Sequence, residues 1–124
     1  MQVCGYSLAT VASAALAKCE QLITINMYTI KRMPEFDEWL ASLRDGMTRI
    51  RLARRLEKVQ RGLLGDVAPV GESVSEMREF FGPGWRMYYV EREGMLIVML
   101  GGGDKSTQSG DIARAIALSR TLTE

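Results

Sequence analysis

At 124 residues, 47% of them hydrophobic, the chain is long enough for one compact core and too short for two comfortable domains. Its formal net charge of +1 points by itself to neither nucleic acid nor membrane. With no histidine and only two cysteines, Cys4 and Cys19, a disulfide framework is not expected, and zinc sites and histidine-based nucleophilic or ribonuclease chemistry are excluded.

Residues 1–26 differ from the rest: they are Ala-rich, and Lys18 and Glu20 are their only charged side chains. No basic residue precedes the apolar run Leu8 to Ala17, and Ala15-Leu16-Ala17 is a weak cleavage pattern, so a signal peptide is a poor fit. The run is also short of the roughly 20 apolar residues that cross a bilayer. We read residues 1–26 as an amino-terminal appendage, an upstream extension with the natural start at Met27, and residues 27–124 as the domain. The alternative is an extra amino-terminal helix packed on that domain.

From Met27 the pattern becomes regular. Tyr28 to Arg32 alternates like a short strand, and Pro34 suits the first turn of a helix whose core stripe is Phe36, Trp39, Leu40 and Leu43. Asp45-Gly46 breaks it. A second helix begins near Met47 with Leu52, Leu56, Val59 and Leu63 on one face and arginines on the other, and it ends at Gly62 and Gly65. Asp66 to Ser73, with Pro69 and Gly71, reads as a loop. Val74 to Phe81, Trp85 to Arg92 and Met95 to Leu100 read as three sequential strands, turned at Gly82-Pro83-Gly84 and at Glu93-Gly94. After a loop from Gly101 to Gly110, the residues Ile112, Ala115, Ile116 and Leu122 predict a short carboxy-terminal helix. The fold class is therefore α/β (α+β): a small antiparallel sheet with a helical hairpin, helices on one face.

The chemistry concentrates between Phe80 and Asp111. Arg78, Arg86 and Lys105 fall near one edge of the meander and make a seat for a phosphate, because guanidinium presents a charged planar fork. Acid–base chemistry beside such a phosphate also needs a base, and Asp104, Asp111 and Glu79 are available, or Lys105 if neighbouring cations lower its pKa. Of Tyr88 and Tyr89, adjacent on a strand, only one can line the site and stack on a base. Structural alternatives stand beside each of these. Arg86 opposite Glu79 or Glu91 would be an ordinary cross-strand pair, Asp111 before Ile112 would be a helix cap, and Gly101-Gly102-Gly103 would relax a strand exit and not cradle a phosphate. Arg51, Arg54, Arg55, Lys58 and Arg61 form either a solvated helix face, a surface for RNA phosphates or a seat for an acidic partner segment.

The element order, with MREFFGPGWRMYYVER followed by LIVMLGGGDKSTQSGDIARA, resembles the RelE/ParE toxin superfamily, and in particular the HigB-like addiction-module killer proteins. The likeness runs from Met27 to about Leu122. It implies a RelE-like fold and the toxin of a type II toxin-antitoxin pair: a metal-independent, ribosome-dependent messenger RNA endonuclease that inhibits translation. It further implies a cytoplasmic protein with the ribosome, messenger RNA and a cognate helix-turn-helix antitoxin as partners, no membrane and no cofactor. The family's transition-state arginine matches Arg86, and its second cation beyond the last strand matches Lys105. Where RelE carries strand lysines this chain has Met77 and Glu79 with Arg78 between them, and its late tyrosine falls on Asp111. The same superfamily also holds ParE-like inhibitors of DNA gyrase, and an inactive domain that only binds the antitoxin is a third reading.

Overall fold

The computed structural model describes residues 27–122, so the expectations for residues 1–26 lie outside it. The chain forms β1 (Thr29–Arg32), α1 (Pro34–Ser42), α2 (Gly46–Gln60), β2 (Val67–Gly71), β3 (Val74–Arg78), β4 (Trp85–Arg92), β5 (Leu96–Asp104), a 3-10 turn (Lys105–Thr107) and α3 (Gln108–Thr121). Pro34 opens α1 where its missing N–H costs nothing, and Asp45 caps α2 by accepting from the Met47 N–H. One sheet runs in the order β1-β5-β4-β3-β2, antiparallel throughout except that β1 lies parallel to β5. Among the described residues no helix is long and apolar enough to cross a membrane.

The sheet is covered on both faces, which corrects the expectation of helices on one. The α1/α2 hairpin lays Phe36, Leu40, Leu52, Leu56 and Val59 against Met77, Met87, Tyr89, Ile97 and Met99. On the opposite face α3 brings Ala115, with Ile112 and Ile116 beside it, onto Val74, Tyr88, Val90, Val98 and Leu100. The central strands are therefore apolar on both sides, which is why they read as nearly continuous hydrophobic runs. A register shift between Tyr88 and Tyr89 lets β4 and β5 stay paired while Leu100 is passed over.

Three boundaries also change. The Asp66 to Ser73 stretch is no loop: it holds β2, an edge strand that tolerates Pro69 because only one of its sides must supply ladder donors. Glu72 and Ser73, with φ of 49° and 73°, make the two-residue turn into β3, a conformation usually given to Asn or Gly. β3 ends at Arg78, and β5 continues through the three glycines to Asp104. Those glycines belong to the sheet because β4 pairs with all three, and at Gly102 and Gly103 neighbours leave no room for a side chain. A Cβ on Gly102 would lie 2.5 Å from the Trp39 ring, and one on Gly103 would lie 1.8 Å from Asp111 Oδ2. Leu63, expected on the core face of α2, falls beyond the helix and is exposed.

Candidate active site

Arg86 stands near the start of β4, directly across from Arg78 on β3 and Gly103 on β5, on the face that α3 covers. It is only 6% exposed. Its Nη1 donates to the carbonyl of Trp85 at 3.1 Å and of Glu79 at 3.4 Å, and its Nε lies 3.8 Å from Glu76 Oε2 without a hydrogen bond. Glu76 is buried too, and its Oε1 accepts from Gln108 Nε2 in the first turn of α3 at 2.9 Å. Tyr88, opposite Glu76 in register, is fully buried, and its hydroxyl has no hydrogen-bond partner among the described residues. Burial, then the carboxylates of Glu76 and Asp111, push its pKa far above the ordinary value, so the phenol stays protonated.

Asp111 completes this cluster from above. Its carboxylate accepts from Thr107 Oγ1 at 2.5 Å, pairs with Arg114 and rests over Gly103. It lies inside the first turn of α3 and not at the cap expected before Ile112. The N-cap of α3 is Thr107, and Asp104 instead caps the 3-10 turn, accepting from the Ser106 N–H at 2.8 Å and from Ser106 Oγ at 2.5 Å. Those hydrogen bonds hold its pKa below the usual carboxylate range. Lys105 is exposed, but its stem and Arg86 Nη1 flank the same point. A Cβ on Gly84 would stand 3.5 Å from Lys105 Cβ and 3.6 Å from Arg86 Nη1. Gly84, at φ +84°, lets the turn pass between the two cations.

The fold thus brings together Arg86, Lys105, Asp111 and Tyr88. It adds Glu76 and Gln108, which the sequence reading passed over. The alternation Val74, Glu76, Arg78 put Glu76 on Arg86's face of the sheet and was the signal available. Tyr89, by contrast, packs under the helical hairpin. Arg78 is turned aside by a two-point ion pair with Asp66, at 2.9 and 3.2 Å, which lowers the pKa of that carboxyl. Asp104 lies opposite Trp85 in register, and its carboxylate is held by Ser106.

The basic helix is not uniform. Arg51, Arg54 and Lys58 are exposed on α2, and the Arg51 guanidinium sits 3.7 Å over the Phe81 ring. Arg55 is instead built into the fold. Its fork donates to the carbonyls of Leu64, Asp66 and Arg78 and to Glu79 Oε2. It ties α2 to the loop before β2 and to the end of β3.

No family model matches the chain. A protein of Haemophilus influenzae, itself uncharacterised, is 37% identical over 93 residues, which is 75% of this chain and 94% of that one. A chain of the toxin-antitoxin complex RelBE2 from Mycobacterium tuberculosis matches with TM-score 0.54 at 15% identity, over 64% of this chain and all of that one. A mutant of the Escherichia coli toxin RelE in its free state matches with TM-score 0.59 at 13% identity, over 78% of this chain and all of that one. At such identities the solved structures establish the architecture.

Proposed function

Because the chain belongs to the same family as that Haemophilus influenzae protein and has the RelE-like fold, we propose that it is the toxin of a toxin-antitoxin pair, acting as a metal-independent, ribosome-dependent messenger RNA endonuclease of the HigB-like kind. The observation that carries this reading is the placement of Arg86 beside Glu76 and the stem of Lys105.

Cleavage of RNA through its own 2′-hydroxyl requires three things. A base removes the 2′ proton, the oxygen attacks phosphorus while the bond to the 5′ oxygen breaks, and that oxygen takes up a proton. Charge accumulates on the phosphoryl oxygens in between, where Arg86 offers preorganised donors in a water-poor setting. Glu76 is the carboxylate nearest the guanidinium and serves as the base. Lys105, on the open side of Gly84, meets the outer phosphate oxygens. Arg51, Arg54 and Lys58 supply the phosphate-facing surface on α2. In this reading the protein works in the cytoplasm and is neutralised by a helix-turn-helix antitoxin.

The burial of Arg86 favours one rival, a chain that binds its target without cleaving RNA, either as a gyrase inhibitor or as an antitoxin-binding domain. Brief induction of the full chain in a bacterial host, with mapping of new messenger RNA 5′ ends, separates them. Cuts within translated frames that vanish with Arg86→Gln are expected. Growth arrest without such cuts, together with inhibition of supercoiling by purified protein, would establish the rival.

A further inference from the structure

Between α1, α3 and the outer edge of β5 lies a cleft of about 560 Å³ that shares Asp111 with the Arg86 cluster. Its floor is Gly101-Gly102, and one of these glycines has no packing reason to be glycine. Gly102 must clear the Trp39 ring. Gly101 has no left-handed φ, and a Cβ there would meet nothing within 4 Å. Valine or isoleucine would suit a strand at that place better. Gly101 flanks the register shift of β5, and its absent side chain leaves room in the cleft.

The walls fit a flat ligand with polar edges. The Trp39 ring and Leu118 give apolar faces, Glu35 is a carboxylate acceptor of the kind that reads exocyclic amines of bases, and Arg114, paired with Asp111, adds a cation at the rim. β1 is paired only as far as Met99, so among the described residues no strand lies beside β5 at Gly101. A peptide strand added to that edge would be read by alternating side-chain pockets, and the cleft is a single chamber. Its volume is within the usual range for a small-molecule site. Asp111 also links the cleft to the chemistry. Its carboxylate rests over Gly103, the register partner of Arg86, so the cleft opens on the outer edge of the strand paired with the one that carries Arg86.

We propose that this cleft is a subsite for one unstacked base of single-stranded RNA. The identity of the ligand rests on the nuclease reading; the geometry does not. The test is binding of fluorescent 2′-O-methyl hexanucleotides of A, C, G or U, which cannot be cleaved, to the full chain and to three variants. Gly101→Val fills the chamber, Glu35→Gln removes one acceptor from an exposed position, and Arg86→Gln removes the cleavage cation. Gly101→Val is expected to melt no lower than the parent and to bind on the order of tenfold more weakly, the loss of one stacked base. Glu35→Gln is expected to reduce the preference for amine-bearing bases over U, and Arg86→Gln to leave that preference in place. Unchanged affinity and base preference in both Gly101→Val and Glu35→Gln would overturn the subsite, as would a Gly101→Val defect confined to a protein partner. Messenger RNA cleavage is measured in parallel. If Arg86→Gln still cuts while Gly101→Val loses oligonucleotide binding, the cleavage mechanism falls and the subsite stands.

Discussion

Replacing Arg55 by alanine tests whether the middle of the basic helix serves the fold or a ligand. The guanidinium makes contacts of 2.8 to 3.0 Å to the carbonyls of Leu64, Asp66 and Arg78, besides its ion pair with Glu79. Hydrogen bonds from a charged donor contribute about 1.5–3 kcal/mol each, so three carbonyls and a carboxylate losing their donor set a gross upper figure of several kcal/mol. Two effects reduce it. The Glu79 side chain keeps 20% of its exposure, and water can enter the space that the arginine vacates. A net loss of about 3–5 kcal/mol follows, as for breaking a buried ion pair. In a domain of this size that lowers the melting temperature by roughly 10–20 °C. Urea unfolding and thermal melting by circular dichroism read both quantities. Arg54→Ala, one residue away and exposed, should stay within about 0.5 kcal/mol of the parent. If Arg55→Ala lost less than about 1 kcal/mol, the clamp would not hold the loop to α2, and Arg55 would return to the set of free cations on that helix.

The glycines of β5 should respond in opposite senses. Gly102→Ala, which drives a Cβ to 2.5 Å from the Trp39 ring, is expected to cost about 1–3 kcal/mol in urea unfolding, whereas Gly101→Ala should be neutral or stabilising by up to about 1 kcal/mol. Tyr88→Phe removes a buried hydroxyl without a partner and should leave stability at pH 7 equal or higher. The folded Tyr88 binds its proton more tightly than the unfolded one, whose pKa is near 10.0, so stability present below that pH is lost as pH rises beyond it. Melting curves of the phenylalanine variant should therefore fall less steeply above pH 10 than those of the parent, and coincident curves would contradict the burial of that phenol. In the cleavage assay, Arg86→Gln should reduce the rate on the order of a hundredfold or more while circular dichroism stays unchanged, and wild-type cleavage would remove Arg86 from the mechanism.

Local pattern determined a large share of this protein. The spacing of Phe36, Leu40, Leu52, Leu56 and Val59 gave the helical hairpin, the Tyr- and Val-rich runs gave β4 and most of β5, and Gly82-Pro83-Gly84 placed Arg86 just inside a strand. These features follow from backbone periodicity and turn preferences, which act within a few residues. Tertiary structure decided what depends on neighbours distant in the chain. Val67 to Gly71 pairs as a strand because β3 offers it a partner, which outweighs the turn signals of Pro69 and Gly71. The glycines of β5 are strand because Arg86, Met87 and Tyr88 of β4 pair with them, and Gly102 and Gly103 must be glycine to clear Trp39 and Asp111. Glu76 and Gln108 lie 32 positions apart and meet only when α3 folds over the sheet. For the same reason equal arginines parted ways: Arg55 met three carbonyls, Arg78 met Asp66, and Arg86 was left buried beside Glu76. A charged side chain is assigned its task by what it meets across the fold, and sequence spacing carries that information only where the partner is local.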